Sequence, residues 1–474
     1  MLFSTTLNSF QPKEYKGQPR HAAGAVVQAT VSRRLASQKG LMQLTERDCS
    51  STFATAILCL LLVLFVTSDI GAQEQYVVIN IAPGEVNDSV FEQILQITKD
   101  RTSHRVGLGI GAIFSYLNQS REQSEDHLKR FLSLAEHYNI PIVIQLDGEQ
   151  WWGARPDLWN WWDPARSGYN PQNRNNVEWT GWGPEHAIKI AWRNWGRQIR
   201  VLPPPNFMSP RYRRACHDEM RVLVPLILKW WQELPKEKKH LLIGIKLGWE
   251  SAIGVNSFYY PNGNALLDRP DKEDPHTGLR VDQIPDRGVT AIGYAAVITA
   301  QLAQSGELQE AHLAEIVRRH LEDLCALTAE LGVPRNKLYT HVAGWKDGEL
   351  LYDSAMNKYA CPGWSFYKYA SDPTKDKGVQ RVLRKSDAPY WAAVEWLLAG
   401  KKDAQAWQSA IGRTLSDPKC RYLCIYNWRG IKNNRAAIDA IRGFLGAGKS
   451  KAESQDANPA VEDNSEDREN HQEH

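Results

Sequence analysis

The sequence predicts an α/β protein, a (β/α)8 barrel with long insertions after its third and fourth strands. Between about Gln75 and Gly446, short apolar β-branched runs alternate with longer segments of helical spacing, the pattern of a parallel sheet covered by helices. The β-like runs number eight. They spread over roughly 370 residues, more than the about 250 of a typical barrel, and two long insertions take up the difference. A doubly wound open sheet is the competing architecture. It is disfavoured because no GxGxxG opens a helix after the first strand, and the glycines of VGLGIGAIF fall inside a β-like run.

In chain order, the predicted strands are 76–81, 106–113, 141–146, 241–247, 338–342, 364–369, 390–396 and 422–426. Helical spacing is read at 89–99, 122–138, 210–233, 289–303, 308–331, 404–415 and 434–445. The connection from Val342 to Trp364 is short and lacks a helical pattern, so it is the weakest repeat.

Three segments are expected: a leader at 1–72, the barrel domain at 73–446 and an acidic tail at 447–474. The apolar run FATAILCLLLVLFV at 53–66 has the length of a signal h-region and falls short of the roughly 20 residues that span a bilayer. It predicts export, to a secreted or periplasmic location, with cleavage before Gln73; anchoring to a membrane through 53–66 is the alternative. Met42 offers a later start. The tail, KSKAESQDANPAVEDNSEDRENHQEH, has few large apolar residues and the composition of a disordered segment.

The 57 Lys+Arg and 54 Asp+Glu leave a net charge of +3, with no basic block that would track phosphates, so nucleic acid is not an expected partner. Seven cysteines lack paired CxxC spacing, and neither metal nor cofactor is expected. The five cysteines after the leader allow at most two bridges and one free thiol. Asn87-Asp-Ser and Asn118-Gln-Ser match the glycosylation acceptor pattern, which matters only in a host with that machinery. Oligomeric state is not readable. The 18 Trp, with 17 Tyr and 11 Phe, point to flat side chains serving a surface or cleft.

In a barrel the reacting groups sit where strands end and the following loops begin. The third strand runs into Asp147-Gly-Glu149-Gln150-Trp151-Trp152 and the fourth into Gly248-Trp249-Glu250. The seventh carries Glu395-Trp396, and the eighth ends at Asn427-Trp428-Arg429. Nine of the 18 Trp lie between Trp151 and Trp195, mixed with Arg, Asn and Asp. A sugar ring has apolar C–H faces rimmed by hydroxyls, so aromatic platforms beside carboxylates and amides suit it. The cluster is read as a ligand platform, although any single Trp is better explained by packing.

With Glu250 after strand four and Glu395 on strand seven, the chain resembles the large clan of retaining (β/α)8 glycoside hydrolases. The resemblance implies that Glu250 is the general acid/base and Glu395 the nucleophile, acting on an oligo- or polysaccharide. Those families place Asn before the strand-four Glu, where this sequence has Trp249, so the contact of that Asn to the sugar's 2-hydroxyl needs another donor. Trp249 is expected to be the apolar wall that raises the acid's pKa, with Arg429, Tyr367 or Tyr369 holding Glu395 ionised.

Asp147, Glu149, Trp151, Trp152, Trp249, His341, Tyr367, Trp396, Asn427 and Trp428 are the expected substrate contacts, with Asp147 alternatively capping the turn after its strand. The stretch GIKLGWESAIGVNSFYYP is also loosely similar to β-amylase-like barrels, which invert. A carbohydrate-binding barrel without catalysis is the reading from another class. Lys246, inside strand four, admits a Schiff-base reading that would leave the Trp-rich loop idle. The run Cys216-His217-Asp218-Glu219 reads as a solvated helical turn, because consecutive helical residues face different ways.

Overall fold

The structure is a computed structural model describing residues 75–97, 106–195, 197–253, 257–280, 291–344, 348–400 and 402–446. The apolar run at 53–66, the cleavage position and the acidic tail lie outside the described residues. Eight parallel strands close into a barrel in chain order: β1 (Gln75–Ile81), β2 (Val106–Ser115), β3 (Ile142–Asp147), β4 (Leu242–Ser251), β5 (Leu338–Val342), β6 (Gly363–Phe366), β7 (Trp391–Trp396) and β8 (Cys420–Ile425), which pairs back onto β1.

Among the described residues, seven helices of eight residues or more cover the barrel: α1 (Asp88–Leu95), α2 (Arg121–His137), α3 (Pro210–Glu233), α4 (Glu310–Glu330), α5 (Lys377–Lys385), α6 (Ala404–Thr414) and α7 (Arg435–Gly446). Polar residues start them as sequence rules predict. Ser120 and Gln123 form a capping box on α2, and Asn87, Ser209, Asp376 and Asp403 cap α1, α3, α5 and α6. A 3-10 turn at Leu350–Ala355 stands where the weak repeat lacks its helix. The helix predicted at 289–303 shrinks to Tyr294–Thr299, because Gly293 (φ 126°) precedes it and Gln301 (φ 59°) follows it with backbone angles a helix does not use.

Strand alternation sends Val77, Ile79, Ile110, Ile144 and Trp364 to the helices, and Tyr76, Val78, Val143, Tyr339, Tyr422 and Cys424 to the lumen. The glycines of β2 explain themselves here: a Cβ on Gly109 would meet Ile243 at 2.7 Å and the Pro141 carbonyl at 3.0 Å. Cys216, Cys325, Cys361, Cys420 and Cys424 are all buried free thiols, so the bridges the composition allows are not formed.

The first insertion, between β3 and α3, is held by buried amides in place of long regular elements. Asn160 Nδ2 donates to the carbonyls of Asp163, Arg166 and Ser167 at 3.0, 3.1 and 3.2 Å. Asn173 Nδ2 donates to the carbonyls of Asn160 and Gly168, and Asn176 Nδ2 to that of Leu158. Two short strands, Ala191–Asn194 and Gln198–Val201, join Ser257–Phe258 of the second insertion in an antiparallel sheet.

A buried carboxyl, Glu178, also connects the insertions. It faces the N–H groups of Trp179 in the first and of Gly293, Ala295 and Ala296 in the second, yet burial pushes its pKa up to about 8. The folded state therefore holds a proton that the unfolded chain releases near pH 4.5. The contribution is full below that pH and is lost as pH rises through about 8. Between pH 5 and 8 the protein is expected to lose on the order of 3 kcal/mol more stability than Glu178→Gln, read from urea unfolding midpoints at both pH values.

Candidate active site

The upper lumen gathers the acids that the sequence placed at strand ends, and two local irregularities aim them. On β7, Ala392 and Val394 already face the lumen, so strict alternation would turn Glu395 outward. The pairing of β7 with both neighbours shifts register at this point, and the bulge brings Glu395 inward while Trp396 goes to the helix layer. On β4, Gly248 (φ 82°) and Glu250 (φ 49°) break the strand in the same way. A Cβ on Gly248 would lie 2.3 Å from Ser251 Oγ and 2.8 Å from Glu149 Oε1, so position 248 requires glycine. The left-handed backbone at Glu250 is strain of the kind found at functional sites.

Glu250 and Glu395 are both 2% exposed, and the charge of Glu250 bears on Glu395. The Tyr367 hydroxyl donates to Glu395 Oε1 and also lies within hydrogen-bonding reach of Glu250. Trp249 Nε1 donates to Glu395 Oε2 at 3.1 Å, and Trp195 Nε1 donates to Glu250 Oε2 at 3.1 Å. Ser365 faces Glu250 and bonds His341 Nε2 at 2.7 Å.

Burial first, and the charge of Glu250 second, push the Glu395 pKa up to about 8; Lys246, Tyr367 and Trp249 oppose the rise. Burial likewise raises Glu250, against the indole of Trp195, the hydroxyls of Ser365 and Tyr367, and the charge of Arg193. Lys246, buried beneath the pair, donates to the Val394 carbonyl at 3.1 Å, and burial lowers its pKa. His341 is held well below its ordinary value by burial and by Lys246. Its Nε2 stands 4.0 Å from Glu395 Oε2, so a neutral ring faces that carboxyl.

Not every predicted contact reaches this space. Trp396 donates to the Ala370 carbonyl at 2.8 Å and packs on Trp407, and Trp428 is buried in the core between barrel and helices. Trp152, 1% exposed, donates to the Pro203 carbonyl and packs edge-on against Tyr212. Trp396 and Trp428 serve packing, whereas Trp152, though buried, also borders the cavity of about 710 Å³. Asp147 takes the capping alternative, accepting from the N–H groups of Glu149 and Gln150 and from Ser115 Oγ; burial and Glu149 push it up to about 7.

Glu149 is also buried, its Oε1 taken by Ser251 Oγ at 2.7 Å and His320 Nε2 at 3.0 Å, so it braces the β4 bulge. Arg429 pairs with Glu85 and leaves Glu395 to Lys246, Tyr367 and Trp249. The expected apolar wall for Glu250, Trp249, serves Glu395 as a donor instead. Around the helical run at 216–219, His217 bonds Asp323 and Glu219 pairs with Arg121.

Trp249, Trp151, Tyr426 and Asn427 line a cavity of about 450 Å³, and Asn427 also caps the turn after β8. Trp151 and Asn118 border this cavity and a second one of about 710 Å³, walled by Trp162, Asp163, Arg166, Lys189 and Asn264. Ser365, Arg193 and Asn118 carried no sequence signal for this site, and Trp195 is marked in the sequence only as the last member of the tryptophan cluster. Only the fold brings them near the two carboxyl groups or the cavities beside them.

No protein-family model matches the chain, and no curated protein matches it in sequence. Among solved structures it is similar to the catalytic domain of β-amylase from Paenibacillus polymyxa, at 10% identity over 80% of this chain and 99% of that one, with a TM-score of 0.44. It is also similar to a Bacillus subtilis mannanase, at 11% identity over 83% and 92% of the two chains, with a TM-score of 0.38. A third likeness is to a GH5-4 broad specificity endoglucanase from an uncultured bacterium, at 8% identity over 76% and 84%, with a TM-score of 0.36.

Because the charge of Glu250 is the second cause of the Glu395 shift, Glu250→Gln is expected to lower the Glu395 pKa while burial keeps it above the ordinary carboxylate range. Carbon-13 NMR titration of labelled glutamate side chains reads this directly; an unchanged midpoint contradicts the coupling.

Proposed function

We propose that the chain is a glycoside hydrolase that cleaves an O-glycosidic bond in an oligo- or polysaccharide with retention of configuration. The observation carrying this reading is a pair of buried carboxyl groups from β4 and β7 that reach one tyrosine hydroxyl in a cleft rich in tryptophan. Carboxyl groups that both interact with that hydroxyl are near neighbours, which favours the about 5 to 5.5 Å separation of retaining enzymes over the roughly 6.5 to 9.5 Å that admits a water in inverting ones.

In the first step the Glu395 carboxylate attacks the anomeric carbon as the C–O bond to the leaving sugar breaks, and Glu250 gives its proton to the departing oxygen. In the second, Glu250 takes a proton from water, the water oxygen bonds the anomeric carbon, and Glu395 is released. Lys246 favours this division of labour. Its charge counts among the influences that lower Glu395, whereas Glu250 is served chiefly by neutral donors and by Arg193. Trp249 supplies a donor where the resembling clan has Asn, and its ring borders the smaller cavity. We infer export through the apolar run at 53–66, which amino-terminal sequencing of the mature protein tests.

Glu395→Gln is expected to abolish turnover, and Glu250→Gln to slow it by about 10² to 10⁴, least for glycosides with good leaving groups. Proton NMR of the first-formed product is expected to show the anomer of the substrate; the opposite anomer removes Glu395 from the nucleophile role.

The acidic limb of the kcat/KM profile is expected above the ordinary carboxylate range, since Glu395 must lose its proton against burial and Glu250. Lys246→Met is expected to move that limb to higher pH and Lys246→Arg to restore it in part.

A further inference from the structure

Glu250 and Glu395 are each 2% exposed, and neither borders the cavity of about 450 Å³ that Trp249 lines, although Trp249 hydrogen-bonds Glu395. Over Trp249 lies Trp195, its ring centroid 5.6 Å away and its plane tilted by only 16°, with its indole N–H on Glu250. Trp195 thus presents a flat apolar face to an aromatic platform and a hydrogen-bond donor to a carboxyl group. A pyranose ring offers the same two things, a C–H face and a hydroxyl on its edge.

We propose that Trp195 is a specificity-determining residue of this site: its indole occupies the place of a sugar ring against Trp249 and Glu250, and substrate binds by turning it out. The inference rests on the glycosidase reading of the carboxyl pair. The movement belongs to the side chain, because the flanking strands are held by backbone hydrogen bonds. Ala191–Asn194 pairs with Gln198–Val201, Trp195 N–H bonds the Arg197 carbonyl, and Gln198 exchanges backbone hydrogen bonds with Leu279 and Gly278.

The displaced ring has a place to go. Its other neighbour, Trp151, is 5.7 Å away at 57° and borders both cavities. A closed majority state weakens every ligand by the same factor, so a ligand needs enough contacts elsewhere to open it. A glycan long enough to reach Trp151 and the larger cavity has those contacts. A short glycoside does not, and water is kept from Glu395 until the ring moves.

The test begins with carboxyl accessibility, which does not depend on knowing the sugar. The full chain is treated with a water-soluble carbodiimide and glycine ethyl ester, and amide formation at Glu250 and Glu395 is followed by peptide mass spectrometry. Trp195→Ala is expected to speed labelling at least tenfold. Trp195→Phe, which keeps a ring but loses the N–H, is expected to remain within threefold of the natural protein; if Trp195→Ala does not fold, Trp195→Leu takes its place.

Equal rates in the natural protein and the truncated variant overturn the proposal, and so does a Phe variant as fast as the Ala one. With aryl glycosides and a polysaccharide panel of soluble cellulose, xylan, mannan and starch, Trp195→Ala is expected to raise kcat/KM more for the short substrates. An equal gain at all lengths overturns the role in specificity. Faster labelling without hydrolysis of any glycoside leaves the stopper in place and removes the hydrolase reading.

Discussion

Two carboxylic acids share one dry space at the mouth of the barrel, and keeping them there constrains most of what surrounds them. Removing a charge from water costs several kcal/mol, and a second like charge beside it adds to the cost, so the pair resists full ionisation. The surroundings answer with donors: Tyr367 and Trp249 on Glu395, Trp195 and Ser365 on Glu250. Lys246 beneath and Arg193 from the first insertion add positive charge, each itself lowered by burial. The outcome is a pair of carboxyl groups that burial pushes above the ordinary carboxylate range, Glu395 being raised further by the charge of Glu250.

The same constraint explains where the backbone departs from regularity. With Val394 facing the lumen, unbroken alternation would turn Glu395 away, and the register shift on β7 lets both face inward. On β4, glycine at 248 and a left-handed backbone at 250 let Trp249 and Glu250 both act over the lumen, with Glu149, Ser251 and His320 clamped behind the bend. Below these bends the lumen is filled by Tyr76, Val78, Ile243, Tyr339 and Tyr422.

The insertions complete the site. Their polar sequence folds because buried asparagine amides tie loop carbonyls together, and this scaffold sets the hairpin that delivers Trp195 and Arg193. Tryptophan there divides by position: Trp152, Trp159, Trp179 and Trp192 are buried in the insertion's own packing, whereas Trp151, Trp162 and Trp195 stay partly open around the cleft. One residue type thus serves both as core and as cleft wall.

The sequence by itself determined the architecture, because strand and helix periodicity are local properties: all eight strands were found where β-branched runs stand, and β5 and α3 match their predicted limits. It also singled out Glu250 and Glu395, since acids at strand ends can be read by counting along the chain. What only the tertiary structure decided is which way side chains face. Trp396 and Trp428 sit beside lumen or loop residues in the chain but turn into the core. Trp195 and Arg193, more than fifty residues before Glu250 in the chain, are brought to it by a hairpin. A bulge or a positive φ displaces alternation by one residue, and that local change, set by packing and hydrogen bonding across the barrel, leaves no periodic trace in the sequence.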